Sequence, residues 1–474
     1  MKKQIMHTFP VTSHTKYVGQ GSTFVAIQGE QENGIMYIPQ ALHLGATQIV
    51  VAQNQTIPHQ IRHTIRAYGA RVKRVENTRK AIAQLSAQAS DHAHKKLHII
   101  GITGTKGKTS TSFILEHILA QAGYKTALIS TVYNKINNQL FEANLTTEQP
   151  DYLHHFFHMC LNAQVDFVIM EVAAQALSLH RVEGILFDAV ICTNFSMEHG
   201  EFYASMEEYF QAKCKLFAQR KPDAIALVNK DDDWSKKIVA QYPHHLSFGI
   251  ENETADLIAK IVESKHQLTC LIKGKQFYCP TLFGRFNAYN LLAAVGTAQK
   301  LGISLETCAK SILSFTGIPG RLEMFQLAKG TKCFIDYAHN PSSFDCVLST
   351  LRTMTNDLIV IFGAGGNRDS KKRPIMGHIS SSIADKIILT TDNPRTEDPD
   401  KIIDDIISGI DDKHMLKIIK EPNRKKAIQL ACNVAKKSSV IAILGKGPDE
   451  YQIIGNNKMK FSEKEILADY QMEK

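Results

Sequence analysis

The 474-residue sequence has no apolar run that approaches the roughly 18 residues of a membrane-spanning helix. Two lysines follow the first methionine, but no apolar stretch comes after them, so we expect no secretory signal. The nine cysteines are scattered without paired spacing, which argues against a disulfide framework and against a zinc site. These absences predict a cytoplasmic protein with reduced thiols.

A long basic stripe is also missing, although the net charge is +9. The densest basic clusters, at residues 371–373 and 424–426, are short. Nucleic-acid-binding proteins usually concentrate more cations on one surface, whereas a small basic cleft can concentrate small polyanionic ligands. We therefore expect small-molecule substrates, with neither nucleic acid nor a membrane as a partner.

The length and the alternation of strand and helix patterns predict an α/β protein of about three domains. Residues 1–95 form a small α/β unit in this interpretation, residues 96–320 a parallel sheet with helices, and residues 321–474 a further α/β unit. A polar linker helix is predicted at residues 74–90, and short strands between 257 and 283. The other predicted strands are 24–27, 48–51, 127–130, 167–172, 189–193, 224–228, 333–335, 358–362, 386–389 and 440–444.

Residues 96–110 read KLHIIGITGTKGKTS, a strand pattern that runs through glycines into a helix start near Lys108. The glycines are Gly101, Gly104 and Gly107. This is the context of a phosphate-binding loop, because backbone amides can turn inward while the helix N-terminus and Lys108 add positive charge. The standard Walker A spacing would place a glycine where this chain has Ile102. We still predict an ATP site, with the Thr109 hydroxyl on Mg²⁺.

Three further residues near predicted strand ends are candidates for chemistry. Glu171 ends an apolar strand, where its carboxylate could hold Mg²⁺ or face solvent. His199 follows another strand and is a weaker ligand candidate, since Mg²⁺ prefers oxygen; a polar loop residue is the alternative. Lys213 lies in an amphipathic helix, and its pattern alone predicts a solvated lysine. A carbamylated lysine, in contrast, would carry an anion able to bind Mg²⁺.

Four strands of the third unit each run into a loop rich in polar residues or glycine. These loops are 336–339, 363–369, 391–395 and 445–450. Ligands bind at the carboxyl ends of strands in open parallel sheets, so we expect the four loops to converge on one ligand site. Arg368 and Arg395 lie in two of them, and the planar guanidinium group suits carboxylates. Structural salt bridges to neighbouring acids are the alternative role.

The motifs form an ordered series along the chain. They are TGTKGKTS at 103–110, EV at 171–172, the segment 194–199, EY at 208–209, AK at 212–213, GRFNAYN at 284–290, GR at 320–321, DYAHNP at 336–341, GGNRD at 365–369, DNPR at 392–395 and GKG at 445–447. This series resembles the Mur ligase family, the ATP-dependent amide-forming enzymes of peptidoglycan precursor synthesis. The resemblance covers nearly the whole chain and includes the departure from Walker A. It implies an N-terminal UDP-binding domain, a central P-loop-type ATPase domain and a C-terminal Rossmann-like domain for an amino acid.

The resemblance also implies residue roles. The implied ATP contacts are Gly104, Thr105, Lys106, Gly107, Lys108, Thr109, Ser110, Asn287, Asn290, Arg321 and Asp336. The implied metal ligands are Thr109, Glu171 and His199, and the implied catalytic set is Lys108, Glu171, His199 and Lys213, with Lys213 as the family's carbamylated lysine. Implied contacts to the UDP-linked substrate are Thr15, Thr146, Thr147 and Arg181. Implied diaminopimelate contacts are Arg368, Asp392, Asn393, Pro394, Arg395, Gly445 and Asp449.

The DNPR sequence at 392–395 resembles the form associated with meso-diaminopimelate rather than lysine. Diaminopimelate has a distal carboxylate that an arginine would bind, whereas a lysine substrate would leave Arg395 unpaired. The implied reaction is the ATP-dependent addition of meso-2,6-diaminopimelate to UDP-N-acetylmuramoyl-L-alanyl-D-glutamate through an acyl phosphate. The expected enzyme is a monomer that serves cell-wall synthesis, and through it cell shape and division.

Four segments depart from the family pattern. Residues 14–16 read HTK instead of DSR, residues 173–175 read AAQ instead of SSH, and Glu198 replaces an aspartate. Residues 447–450 read GPDE instead of GHED, so Asp449 matches the late acid by count. Two alternatives therefore stay open: a family ligase with another acceptor, such as a folate, or another amino acid, and a nucleotide-binding homologue without catalysis. The DNPR loop argues against a folate, and the retained catalytic set argues against lost catalysis.

Overall fold

The structure is a computed structural model, and it describes residues 2–5, 8–29, 32–196, 202–242, 244–262 and 267–471. The chain divides into two units. The first comprises Met1–Lys260, Ile272–Lys275 and Tyr289–Ile312, and the second comprises Ile261–Leu271, Gln276–Ala288 and Leu313–Lys474. The predicted domain boundaries near residues 95 and 320 stay predictions. In the described part of the chain, no helix is both long enough and apolar enough to cross a membrane.

The N-terminal part of the first unit is a parallel four-stranded sheet in the order β1-β2-β3-β4. Its elements are β1 Val11–Thr12, β2 Thr23–Val25, α1 Ile38–His43, β3 Gln48–Ala52, α2 His59–Ala67, β4 Arg71–Val75 and α3 Thr78–Ala89. The prediction of a single helix from residue 74 is wrong. β4 is an edge strand with mostly exposed side chains, so it lacks the apolar run that identifies buried strands. The helix begins only after Asn77, whose side chain caps it.

A larger sheet forms the centre of the first unit. Its elements are β5 His98–Thr103, α4 Lys108–Gln121, β6 Thr126–Ile129, β7 Asn134–Ile136, β8 Gln139–Phe141, α5 Pro150–Asn162, β9 Phe167–Glu171, α6 Ala174–Ser178, β10 Phe187–Cys192, α7 Met206–Ala218, β11 Arg220–Asn229, α8 Ser235–Gln241, β12 Leu246–Gly249 and β13 Leu257–Ile261. The strand order is β13-β12-β11-β10-β5-β9-β6-β7-β8, parallel from β13 to β6. The predicted central strands are confirmed within a few residues at their ends.

This strand order decides which loops meet. β5 pairs with β9 on one side and with β10 on the other. The glycine loop after β5, Glu171 at the end of β9 and the residues after β10 therefore share one edge of the sheet. Bulky apolar side chains beneath that edge, Phe156, Phe157 and Phe187 among them, are fully buried. This packing fixes the strands that position the edge residues.

After β13 the chain forms β14 Leu268–Ile272, β15 Lys275–Cys279, α9 Phe286–Lys300 and α10 Leu305–Leu313. The predicted short strands between residues 257 and 283 are confirmed. The helix expected from Asn287 begins one residue earlier. Residues of this region are divided between the two units.

The second unit contains a six-stranded sheet in the order β16-β17-β21-β18-β19-β20. The elements are β16 Glu323–Gln326, β17 Lys332–Asp336, α11 Pro341–Arg352, β18 Leu358–Phe362, α12 Lys372–Ile383, β19 Lys386–Leu389, α13 Pro399–Ile407, β20 Ile418–Lys420, α14 Arg424–Val434, β21 Val440–Leu444, β22 Tyr451–Ile454, β23 Asn457–Lys460 and α15 Glu463–Ala468. β16 is antiparallel to β17, and the other pairings are parallel.

Every residue of β18 and of β21 is buried, as expected for a parallel sheet covered by helices on both faces. Separate apolar clusters fill the two faces of the sheet. Two helices begin with a side-chain cap followed by proline, Asn340 before α11 and Asp398 before α13. These caps start the helices directly after the strand-end loops and so fix where the loops end.

Candidate functional site

The glycine loop of the first unit depends on two close approaches. Gly104 has a φ of +144°, and a Cβ there would lie 1.9 Å from Thr193 Oγ1. Gly107 has a φ of +82°, and a Cβ there would lie 2.3 Å from Asn290 Oδ1. Only glycine fits both positions. The predicted glycine loop at the start of α4 is confirmed, and Ser110 is buried in the first turn of that helix.

The loop is held in shape by the residues that follow β10. Thr105 N donates to Asn194 O at 2.9 Å, and Lys106 N donates to Asn194 Oδ1 at 2.9 Å. Thr193 Oγ1 donates to Lys106 O at 2.5 Å. The loop geometry is therefore set by a neighbouring strand as well as by its own glycines.

Two lysines converge on one carbonyl oxygen of the loop. Lys108 Nζ donates to Gly104 O at 2.8 Å and to Thr105 O at 3.0 Å. Lys213 Nζ donates to Gly104 O at 2.9 Å and lies 4.3 Å from the centre of the Tyr209 ring. Lys213 is only 2% exposed, so the prediction of a solvated helix lysine is wrong. Two ammonium groups beside a helix N-terminus form a site suited to a polyanion.

Glu171 is fully buried, so the solvent-facing alternative is wrong. Thr109 Oγ1 donates to its Oε2 at 3.0 Å, Thr131 N to its Oε1 at 2.9 Å, and Thr131 Oγ1 to its Oε2 at 3.2 Å. The Thr109 hydroxyl and the Glu171 carboxylate thus form an oxygen pair beside the loop. Thr131 was not predicted, because only the strand order brings the end of β6 next to β9.

The donor set fits Mg²⁺ in one respect: this ion commonly takes one or two protein oxygens and keeps several waters. Among the described residues, no group of three or more histidine, cysteine, aspartate or glutamate residues could hold a metal ion. The predicted ligand His199 lies outside the described residues, so its role stays a prediction.

Three of the four residues predicted to contact the UDP-linked substrate lie together beside Glu171. Thr147 Oγ1 donates to Glu171 O at 2.9 Å, and Arg181 Nη1 donates to Thr147 O at 2.9 Å. Thr131 Oγ1, whose proton goes to Glu171, lies 3.1 Å from Thr146 Oγ1 and can accept a hydrogen bond from it. The fourth residue, Thr15, lies in a short 3₁₀ turn, and within the described ranges no hydrogen bond joins it to the other three.

Burial changes the ionisation of the groups beside this cluster. Burial lowers the pKa of Arg181, and the nearby Glu148 carboxylate opposes that shift. Burial raises the pKa of Glu148, although the amides of Asn144 and Leu145 donate to it. Arg181 Nε is buried and has no hydrogen-bond partner within the described residues.

The predicted convergence of loops in the second unit is confirmed. A Cβ on Gly366 would lie 1.9 Å from Pro394 O, and a Cβ on Gly445 would lie 2.4 Å from Asp392 Oδ2. Gly445 N also donates to Asp336 O at 3.1 Å. The loops after β17, β18, β19 and β21 therefore meet at the carboxyl edge of the sheet.

Arg368 and Arg395 approach one another across Gly365. A Cβ on Gly365 would lie 3.2 Å from Arg395 Nη1 and 3.6 Å from Arg368 Cγ. Arg395 has a φ of +52°, and its Nη1 donates to Gly366 O at 2.8 Å. Neither arginine forms an ion pair with any residue that the structure describes, so the salt-bridge alternative is wrong. Glu397, one of the acids near Arg395, pairs instead with the buried Arg373 at 2.9 Å.

Acidic and basic groups are buried beside the arginines. Lys446 Nζ lies 3.1 Å from Asn393 Oδ1 and 3.7 Å from Asp392 Oδ1. Burial lowers the pKa of Lys446, and Asp392 opposes the shift. Burial raises the pKa of Asp449, with Lys446 opposing and Asp392 reinforcing the shift. The sequence pointed to Asp392, Asn393 and Asp449 by resemblance but assigned no role to Lys446.

The remaining predicted nucleotide contacts lie in well-defined surroundings. In the second unit, the Asp336 carboxylate accepts from Leu322 N and Ala338 N at 2.7 Å each, and burial raises its pKa while Arg321 opposes. The Arg321 guanidinium stacks 4.5 Å from the centre of the Tyr337 ring. Asn287 Nδ2 donates to Phe283 O at 2.8 Å. Their roles toward ATP stay predictions.

Two family models match the chain. The Mur ligase middle domain matches residues 102–298, and the Mur ligase, glutamate ligase domain matches residues 320–447. The first match includes the glycine loop, Glu171 and Lys213, and the second includes Asp336, Arg368 and Arg395.

Similar proteins carry one recurrent name, UDP-N-acetylmuramoyl-L-alanyl-D-glutamate--2,6-diaminopimelate ligase. The protein of that name from Fusobacterium nucleatum subsp. nucleatum is 35% identical over 95% of this chain and 91% of its own length. The one from Bacillus velezensis is 37% identical over 96% of this chain and 92% of its own. A solved structure of a protein with this name has 26% identity and a TM-score of 0.66, covering 98% of this chain and 94% of that one.

Proposed function

The chain belongs to the Mur ligase family, and we propose that it joins meso-2,6-diaminopimelate to UDP-N-acetylmuramoyl-L-alanyl-D-glutamate by an ATP-dependent amide bond. Its similar relatives carry this activity in their names. The observation that supports the amino acid assignment best is the arrangement of Arg368 and Arg395 at one loop edge, without an ion pair to any described residue. A second carboxylate on the incoming amino acid would find these cations available.

ATP would bind with its phosphates over the glycine loop. The backbone amides at the start of α4 and the ammonium group of Lys108 favour the phosphate charge. Thr109 and Glu171 are the described residues that would hold Mg²⁺, with His199 as a further predicted ligand. Mg²⁺ bound there would supply neutralisation of the phosphate charge. Asn287, Asn290, Arg321 and Asp336 are proposed to contact the nucleotide.

The reaction has two bond-forming steps. A γ-carboxylate oxygen of D-glutamate attacks the γ-phosphorus of ATP, the bond to the bridging oxygen breaks, and ADP leaves. The neutral amine of diaminopimelate then attacks the carbonyl carbon of the acyl phosphate. The tetrahedral intermediate expels phosphate, and the nitrogen loses a proton to give the amide. Lys108 would stabilise the charge that develops on the transferred phosphoryl group.

Lys213 is proposed to carry a carbamate in the active enzyme. Its amine is buried at the phosphate loop beside Tyr209, so an anion there could act as an oxygen ligand within the site. Enzyme incubated with ¹³C-bicarbonate should show a carbamate carbon signal that is missing from a Lys213→Ala variant. An unmodified Lys213 under these conditions would remove the carbamate from the mechanism.

The acceptor would lie against Thr146, Thr147 and Arg181, whose positions beside Glu171 bring an anionic substrate close to the phosphate loop. Thr15 is proposed as a contact to the UDP group. The amino acid would lie at the converged loops of the second unit, with Asp392, Asn393, Pro394, Gly445 and Asp449 completing the site around the two arginines. We place the enzyme in the cytoplasm as a monomer that makes a cell-wall precursor.

The test is phosphate release by the purified protein with ATP, Mg²⁺ and UDP-N-acetylmuramoyl-L-alanyl-D-glutamate. Meso-diaminopimelate should support release, and L-lysine should support it far less. Release with neither amine would refute the assigned reaction. Equal rates with both would refute the role given to the two arginines while leaving a ligase.

A further inference from the structure

Lys446 is an unusual residue for the position it occupies. It directly follows Gly445 at the end of β21, and it is only 1% exposed. A buried ammonium group is costly unless its hydrogen bonds and a counter-charge compensate. Its partners are the Asn393 side-chain oxygen at 3.1 Å and the Asp392 carboxylate at 3.7 Å. Both partners belong to the loop that also carries Arg395.

Asn393 Oδ1 accepts two hydrogen bonds, from Lys446 Nζ at 3.1 Å and from Ile453 N at 2.9 Å. Both partners are donors only, so the atom between them must be the amide oxygen rather than the nitrogen. The two lone pairs of that oxygen are then in use. Asn393 Nδ2 donates to no atom of the described residues, although the side chain is only 8% exposed. The amide nitrogen is thus left as the donor that this side chain can offer to a ligand.

The backbone of the same loop is held by other contacts. Gln452 Nε2 donates to Asp392 O at 2.8 Å, Arg395 N donates to Ile453 O at 3.2 Å, and Gly455 N donates to Arg395 O at 2.7 Å. All three bonds come from the β22–β23 hairpin and the turn within it. Removing the Lys446 ammonium would therefore leave the loop path in place, free the Asp392 carboxylate, and leave Ile453 N as the one described partner of Asn393 Oδ1.

We propose that Lys446 is a positioning residue for the amino acid substrate. Together with Ile453 N it fixes the Asn393 amide with the nitrogen as a donor to a substrate carboxylate, and it holds the Asp392 carboxylate in place for the substrate amine. Lys446 itself touches neither substrate nor the reacting atoms. This inference rests on the proposed function, because it assumes that an amino acid binds at these loops.

The first test compares K446M with a matched control, K386M. Lys386 also pairs with an aspartate in this unit, Asp357 at 2.9 Å, but it lies at the amino end of its strand. We expect K446M to raise the KM for diaminopimelate about tenfold or more, with the KM for ATP changed less than about twofold, a difference that a lost charge-assisted hydrogen bond can produce. K386M should change neither. An unchanged diaminopimelate KM in K446M would overturn the proposal.

A double-mutant cycle separates positioning from a general loss of structure. If Lys446 acts through Asn393, K446M should add little to the KM increase of N393A. K446Q, which keeps a donor but not the charge, should retain part of the wild-type affinity. Full additivity of K446M and N393A, or a drop in Tm with kcat and every KM altered together, would show that Lys446 has only a structural role.

The controls also distinguish this inference from the proposed function. Wild-type enzyme that releases no phosphate with either amine would refute the proposed reaction before any variant is compared. Suppose that the wild-type enzyme prefers diaminopimelate, and that K446M has the same preference and the same KM for it. This result would refute the role of Lys446 and leave the proposed reaction intact. Binding of diaminopimelate measured by calorimetry gives the same comparison without turnover.

Discussion

The carboxyl edges of the two sheets are built from different kinds of contact. At the edge in the first unit, Lys108 and Lys213 bond to a backbone carbonyl, and the Glu171 carboxylate accepts three hydrogen bonds from Thr109 and Thr131. At the edge in the second unit, two arginines have no ion pair within the described chain, and Lys446 bonds to a side-chain amide. The first arrangement suits a phosphate group that many nucleotides share. The second suits one particular amino acid.

Substrate specificity can change more easily at the edge in the second unit than at the edge in the first. A phosphate loop built from backbone contacts tolerates little variation, since Gly104 and Gly107 have no room for a side chain. A site built from side chains can exchange one ligand for another by substituting an arginine or its support. Substitutions at the first edge should therefore affect every amine, and substitutions at the second edge only one.

Lys108→Met should abolish most activity with every amine. The variant loses the positive charge that faces the transferred phosphoryl group, so we expect kcat to fall by about a hundredfold to a thousandfold. Lys125→Met is the matched control, because the ammonium group of that lysine bonds to the exposed Gln164 side chain in the same unit. Steady-state phosphate release measures both. A near-normal kcat in Lys108→Met would show that the positive charge of Lys108 does not stabilise the transferred phosphoryl group.

Arg395→Met should act on one substrate only. Loss of the guanidinium should raise the KM for diaminopimelate by about tenfold to a hundredfold, because a charge-assisted pair to a carboxylate is lost. The KM for ATP and the weak use of lysine should stay the same. Competition between the two amines measures this selectivity directly. If the KM rises equally for both amines, Arg395 supports the loop and does not bind the distal carboxylate.

Buried histidines of the first unit and buried carboxyl groups of the second should respond to acid in opposite directions. Burial lowers the pKa of His94 to about 4 and of His154 to about 3, and both belong to the first unit. Between pH 6.5 and 4 the unfolded state then binds more protons, so this unit should lose about 1.4 kcal/mol per pH unit for each histidine. In the second unit, burial raises the pKa of Asp336 and of Asp449. Their folded states take up protons first, so acidification through those pKa values should favour folding.

Hydrogen exchange, corrected for intrinsic rates, can follow both units in one sample. Protection of β5 and α5 should fall from pH 6.5 to pH 4.5, while protection of β17 and β21 should hold or rise. Burial also lowers the pKa of His117 and His155 in this unit, so His154→Leu should reduce the pH dependence of the first unit without removing it. Parallel loss of protection in both units would contradict the assignment of the effect to these groups.

Thr131→Val should have the smallest effect. The variant keeps the backbone bond from residue 131 to Glu171 Oε1 but loses the hydroxyl donor to Oε2. One such bond contributes about 1 kcal/mol, so the Mg²⁺ concentration for half-maximal rate should rise about fivefold. The KM for diaminopimelate should stay the same. A changed amino acid KM would indicate that the two edges are not independent in the way described.

Sequence patterns predicted the buried strands best. Leu358–Phe362, Lys386–Leu389 and Val440–Leu444 match residue for residue, because a parallel strand covered on both faces is a continuous apolar run. Edge strands were missed or misassigned. Arg71–Val75 and Asn457–Lys460 are polar and mostly exposed, so nothing in their composition separates them from loops or helices.

The candidate site also contains residues that a local pattern identifies and residues that it does not. Residues inside local motifs, such as Lys108 and Arg395, could be predicted from the sequence. Thr131 and Lys446 gain their roles from partners 40 and 53 positions away in the chain. Such contacts depend on which strands become neighbours, and a local pattern does not contain that information.

The contact between Gly104 and Thr193 limits how portable the phosphate loop is. The space that a side chain at 104 would need is occupied by Thr193 Oγ1, which also holds Lys106 O. The conformation of the loop therefore depends on the residues at the end of the neighbouring strand. If residues 103–110 were grafted onto another sheet, the octapeptide should not keep its loop conformation. Thr193 and Asn194, which bond to the loop, would have to be transferred as well. A smaller residue at 193 should not rescue a substitution at 104, because the φ of +144° is itself unfavourable for any residue with a side chain.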